Sequence, residues 1–100
     1  MIRVDFSFNE PLLNQNGLTL PQIYGVIKKA FDKGLISCAR EDTVLSFEAP
    51  DTEYGRMMGI AGLFCEKEWV LKYATSFLWW EDDAWEDWLS QAKSLQNAGA

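Results

Sequence analysis

Histidine is absent from the 100 residues of this chain. Without an imidazole there is no serine–histidine or cysteine–histidine nucleophile pair, no imidazole general base, and no ligand of the kind most transition-metal sites use. Cysteine is scarce. Cys38 and Cys65 stand too far apart for a Cys-x-x-Cys motif. They read as small buried thiols of a reducing compartment, with a disulfide as the minor alternative. Long apolar runs are missing too: the longest, Met57 to Cys65, falls far short of the roughly 20 residues a membrane-spanning helix needs. Met1-Ile2-Arg3-Val4-Asp5 alternates polar and apolar side chains and holds no apolar signal core, so a cytoplasmic protein is expected. No Walker loop occurs, and the glycines Gly55, Gly59 and Gly62 have the wrong spacing for a dinucleotide fingerprint.

Positive charge is also in deficit, with 9 Lys and Arg against 15 Asp and Glu and a net charge of −6. The imbalance is uneven. Residues 1–40 carry Arg3, Lys28, Lys29, Lys33 and Arg40 against Asp5, Glu10 and Asp32, whereas residues 41–100 carry twelve acids against four bases. Such a surface disfavours phosphate backbones and suits a basic partner, although acids also simply keep small domains soluble. The Lys28, Lys29 and Lys33 face is expected to be solvated rather than a phosphate site.

What is present is ample material for one globular domain over residues 1–100: 48% of residues are hydrophobic and 14% aromatic. Ile2, Val4, Phe6 and Phe8 alternate with polar residues, the period of a half-buried strand. Asn9 to Gly17 is dense in turn formers and reads as a loop. Thr19 and Gln22 form a capping box with Pro21 in the first turn, and Leu18 and Ile23 are spaced as a hydrophobic staple. The stripe Ile23, Ile27, Ala30, Phe31 then runs to a stop at Gly34. Leu35–Arg40 and Thr43–Glu48 predict a hairpin, and Ala49-Pro50-Asp51-Thr52 a break and a helix cap. Tyr54, Met57, Met58, Ala61 and Phe64/Cys65 predict a helix, whose three glycines imply close approach to a sheet. Residues 69–79 alternate as a long strand, while Trp69, Tyr73, Phe77 and Trp80 also fit a helix face. Asp82 or Asp83 is expected to cap a last helix with the stripe Trp85, Trp88, Leu89, Ala92, Leu95, fraying from Asn97 to Ala100. The order β-α-β-β-α-β plus a helix predicts an α+β fold: a ferredoxin-like four-stranded antiparallel sheet with helices on one face. The added helix is expected to cover the open face or extend an edge.

The densest chemistry lies in Leu78 to Leu89, which holds four of the five tryptophans and five acids. Tryptophans favour leaving water and carboxylates must stay wet or paired. Both demands are met if the segment is an amphipathic helix end with Trp85 and Trp88 anchored to the core. The adjacent Trp79 and Trp80, if on a strand, point to opposite faces, so one must meet the last helix, a partner or solvent. The candidate partner-binding residues are therefore Trp79, Trp80, Glu81, Asp82, Asp83, Glu86 and Asp87.

Competing uses of those acids are weaker. They lack the spacing and glycine of a calcium loop, and Glu81 to Asp83 also suit a helix N-terminus electrostatically. Paired-carboxylate hydrolysis has no further support. An RNA-recognition sheet would need a basic-glycine-aromatic signature that Thr43–Glu48 lacks. No catalytic residue, cofactor or metal is expected. The expectation is a small non-enzymatic binding protein docking on a basic protein or complex: an inhibitor or immunity-type protein that puts carboxylates where phosphates would lie. Small acidic chains without catalytic groups are common in phage, plasmid and toxin–antitoxin settings. The alternative is a regulatory or assembly domain acting as a homodimer.

Overall fold

The computed structural model describes residues 1–98, with side chains through Leu95. Its eleven segments run β1 (Ile2–Phe8), α1 (Glu10–Gln15), α2 (Leu20–Lys33), β2 (Cys38–Glu41), β3 (Leu45–Ala49), a 3-10 turn (Asp51–Glu53), α3 (Tyr54–Phe64), α4 (Glu68–Tyr73), β4 (Ala74–Glu81), β5 (Ala84–Asp87) and α5 (Trp88–Ala98). The fold is α+β. One five-stranded sheet has the order β2-β3-β1-β4-β5, with every neighbouring pair antiparallel.

Register follows from alternation. Val4 lies opposite Phe47 and Trp79, and Phe6 opposite Leu45 and Phe77, so these side chains share one face of the sheet. The helices bury that face. Phe31 of α2 stacks on Phe47 at 3.9 Å, Phe64 of α3 meets Phe6 at 5.7 Å, and Trp69 of α4 meets Phe8 at 6.3 Å. Leu13 of α1 is buried in the same core. Trp88 of α5 stacks parallel to Trp79 at 4.8 Å. The opposite face carries Arg3, Asp5, Ser46, Glu48, Leu78, Trp80 and Trp85, and none of the described helices packs on it.

Several expectations hold. Thr19 and Gln22 form the capping box, and Ile23, Ile27 and Phe31 face the core. Others are corrected. The turn-rich Asn9 to Gly17 segment contains α1, because the Asn9 side chain accepts from the Leu12 amide at 3.1 Å and starts a turn that buries Leu13. Residues 69–79 are not one strand: α4 ends at Tyr73, and β4 begins where the chain meets the unpaired side of β1. Asp82 and Asp83 form the two-residue turn between β4 and β5, with Asp82 at φ 52°, a left-handed conformation aspartate tolerates. The amphipathic helix end expected there is thus a β-hairpin. Asp87, not Asp82 or Asp83, caps α5, which packs on the helical face rather than covering the open one or extending an edge. It continues to Ala98, and Gly99 and Ala100 lie outside the described residues.

The glycines and cysteines are also corrected. A Cβ on Gly55, Gly59 or Gly62 would touch nothing within 4 Å, so these do not mark close approach to the sheet. Gly34 does mark close approach: a Cβ there would run into Cδ1 of Ile60 on α3. The left-handed position falls one residue later, at Leu35 with φ 61°. The Leu35 and Ile36 amides donate to the Asp32 and Phe31 carbonyls in a Schellman closure. Cys38 is exposed rather than buried, and both thiols are free. Burial, with a smaller push from Glu66, raises the Cys65 thiol to about 11.

Candidate functional site

The hairpin places Trp79 against Glu86 and Trp80 against Trp85. Strand alternation then divides the tryptophans. Trp79 enters the core at 1% exposure, between Tyr54 at 5.6 Å and Trp88 at 4.8 Å. Trp80 and Trp85 point to the uncovered face, their ring centroids 6.3 Å apart. Trp85 is 57% exposed there, so it does not help anchor the last helix. The Arg3 guanidinium lies 4.5 Å from the Trp80 centroid, a cation–π contact that fixes the inner ring of the pair. Leu78 extends the aromatic half of this face, and the other half is polar. Ser46 donates to Asp5 at 2.6 Å, Arg3 pairs with Asp5 at 3.1 Å, and a shallow hollow runs between Arg3, Arg40 and Glu48.

The five acids have separate jobs. Glu81 accepts from the Trp79 indole N–H at 3.0 Å, and Glu86 from the Trp88 indole N–H at 3.2 Å. Glu81 also faces the Tyr54 hydroxyl, and its charge with partial desolvation holds that phenol above its ordinary value. Asp87 accepts from the Ser90 amide at 3.1 Å and the Ser90 hydroxyl at 2.9 Å, bonds that hold its carboxyl below the usual range. Asp82 and Asp51 share the Met1 amino group, at 3.1 Å and 2.7 Å, and together raise its pKa. Asp83, at the hairpin tip, has no ion-pair or side-chain hydrogen-bond partner among the described residues.

Trp80 therefore sits on the open face, Trp79 lies beneath the helices, and the acids ring the hairpin from tip to base. Asp51 joins them in space although it is 31 positions from Asp82 in the chain. The fold thus brings Asp51 and Asp82 to one end of the sheet. Trp85 was missed as a surface residue because its helical spacing to Trp88 and Leu89 hid a strand. The usable signal was the Asp82-Asp83 pair flanked by aromatic runs on both sides, a two-residue hairpin pattern.

Glu81, Glu86 and Asp87 have hydrogen-bond donors but no cation within ion-pair distance among the described residues, so their negative charge projects into solvent. No group of three His, Cys, Asp or Glu side chains among the described residues is arranged to hold a metal ion. No described helix is long and apolar enough to cross a membrane. No protein-family profile matches the chain, no curated protein is significantly similar to it, and no solved structure significantly matches it.

Proposed function

We propose that this chain is a non-enzymatic binding domain that docks the Trp85 side of its β4–β5 hairpin on a basic surface of a partner protein. The observation that carries the reading is Trp85 itself. A large ring stands 57% exposed on an uncovered sheet face, beside Trp80, on a hairpin whose tip carboxylate Asp83 has no ion-pair partner among the described residues. Tryptophan is favoured at interface centres, and surrounding charge speeds encounter with a partner of opposite sign. The concrete form is an inhibitor or immunity-type protein whose carboxylates occupy a nucleic-acid-binding surface, in a cytoplasmic and mobile-element setting. The strand order β2-β3-β1-β4, with helices on one face, supports reading the frame as ferredoxin-like with β5 appended.

The test compares capture by the immobilised parent with capture by Trp85→Ala and by the hairpin-tip pair Asp82→Asn, Asp83→Asn. A basic nucleic-acid-binding protein should be retained by the parent, released as salt rises, and displaced by nucleic acid in competition. Trp85→Ala should lose retention at every salt concentration, and the acid pair should slow association and flatten the salt dependence. Equal retention by all three proteins across the salt series would sink the reading.

A further inference from the structure

The sheet has two unpaired edges, β2 and β5, each four residues long and exposed along its length apart from the half-buried Asp87. Edge strands present unsatisfied N–H and C=O groups and invite pairing with another chain. The two edges differ in their surroundings. Beside β2 lies an open groove of about 720 Å³, walled by the α2 flank Gly25, Lys28, Lys29 and Asp32 and floored by Ile36 and Phe47. Its lip is Leu35, a large apolar side chain 84% exposed and held at a positive φ. That conformation is unfavourable for a leucine, and no burial of its side chain offsets it. Lys28 is paired with Glu41 at 2.6 Å, but Lys29 has no ion-pair partner among the described residues.

Beside β5 the pattern is complementary. Ala84 and Glu86 face the helical side of the sheet, and Trp85 and Asp87 the open side. On β2 the helical side carries Cys38, beneath Lys28 and Lys29, and the open side carries Arg40, across from Ser46. If β5 of one copy continues the sheet beyond β2 of another, Glu86 comes to the lysine flank and Asp87 to the Arg40 side. On the helical side Glu86 then meets Lys29, beyond the Lys28–Glu41 pair, and on the open side Asp87 meets Arg40, which is otherwise paired with Asp42 at 2.7 Å.

We propose that the chain self-associates head to tail, β5 of one copy adding beside β2 of the next, with the shelf under α2 and Leu35 covered by the incoming strand and the helix that follows it. Such an interface joins two different surfaces, so each added copy leaves a β2 edge and a β5 edge free, and assembly continues beyond a dimer unless a ring closes. It is independent of the docking reading above, which uses the open face of the hairpin rather than its outer edge.

Sedimentation velocity of the purified full chain, from micromolar to millimolar concentration, tests this. At low salt the weight-average mass should climb with concentration past that of a dimer, and return toward the monomer in high salt. Lys29→Glu and Glu86→Lys should each weaken association at least about tenfold, because each sets like charges against each other. Mixing the two variants, or combining them in one chain, should restore it. Leu35→Gly relieves the backbone strain and keeps the fold, yet should also weaken association. A chain that stays monomeric at millimolar concentration and low salt would overturn the proposal. So would a species that stops at a dimer, or association that these substitutions leave unchanged.

Discussion

At the scale of single residues, two tryptophans six positions apart in the chain, Trp79 and Trp85, separate stability from surface. Trp79 is enclosed by Tyr54, Trp88 and the sheet, and its indole N–H is satisfied by Glu81. Trp79→Ala should cost about 3–5 kcal/mol, the range for truncating a buried large aromatic. Trp85→Ala should change stability by no more than about 0.5 kcal/mol, as for a surface position. Urea unfolding of both variants checks the pair, and a Trp85→Ala loss as large as that of Trp79→Ala would show that Trp85 belongs to the core. The neighbouring Trp80 is intermediate, half-covered by Arg3. That Trp79 and Trp80 face opposite sides follows from alternation alone and was legible in the sequence. Which of them turned inward was not, because that depends on the partner strand β1 presenting Val4 and Arg3 alternately.

At the scale of elements, α3 is weaker than its position requires. Gly59 lies mid-helix with open space where a Cβ would go. Gly59→Ala should stabilise the domain by roughly 0.5–1 kcal/mol through lost freedom of the unfolded chain. Thermal melting would register this as a rise of about 2–8 °C for a domain of this size, and a fall would mean that the methyl meets something. The α5 cap behaves differently. Asp87→Ala should cost about 1 kcal/mol, whereas Asp87→Asn keeps a capping oxygen. Because Asp87 is held below its ordinary value in the fold, its charged-state contribution is complete above the unfolded pKa of about 3.9. That contribution is lost as pH falls through the lower folded value. The stability difference between parent and Asp87→Asn should therefore shrink on acidification below about pH 4, and a difference constant down to pH 2 would contradict this. The capping box of α2 and the strand β1 could be read locally because their signals are local. The boundary between α4 and β4 could not, since Trp69, Tyr73, Phe77 and Trp80 satisfy helical spacing as well as alternation. Hydrogen-bonding vacancies on β1 decided it, and those are tertiary.

On the scale of the whole molecule, one face of the sheet is roofed by helices and no described helix covers the other, while negative charge gathers around the β4–β5 end. With a net charge of −6 and few local cations, self-repulsion should fall as salt screens it. The melting temperature should rise by a few degrees between about 10 and 150 mM sodium chloride, where the Debye length drops from about 30 to 8 Å. A melting temperature that falls over this range would indicate that the surface ion pairs outweigh the repulsion. The ordering of the sheet has a temporal side as well. Its middle strand, β1, is made near the start of the described chain, and the strand on its far side, β4, ends at Glu81. At a synthesis rate of about 5–20 residues per second, β1 waits about four to fifteen seconds for that second neighbour. During that interval the β1 residues Ile2, Val4 and Phe6 lack their β4 neighbours Glu81, Trp79 and Phe77. A nascent chain stalled before residue 74 should thus remain protease-sensitive, and the newborn protein depends most on its folding helpers while its central strand has one neighbour and waits for the other.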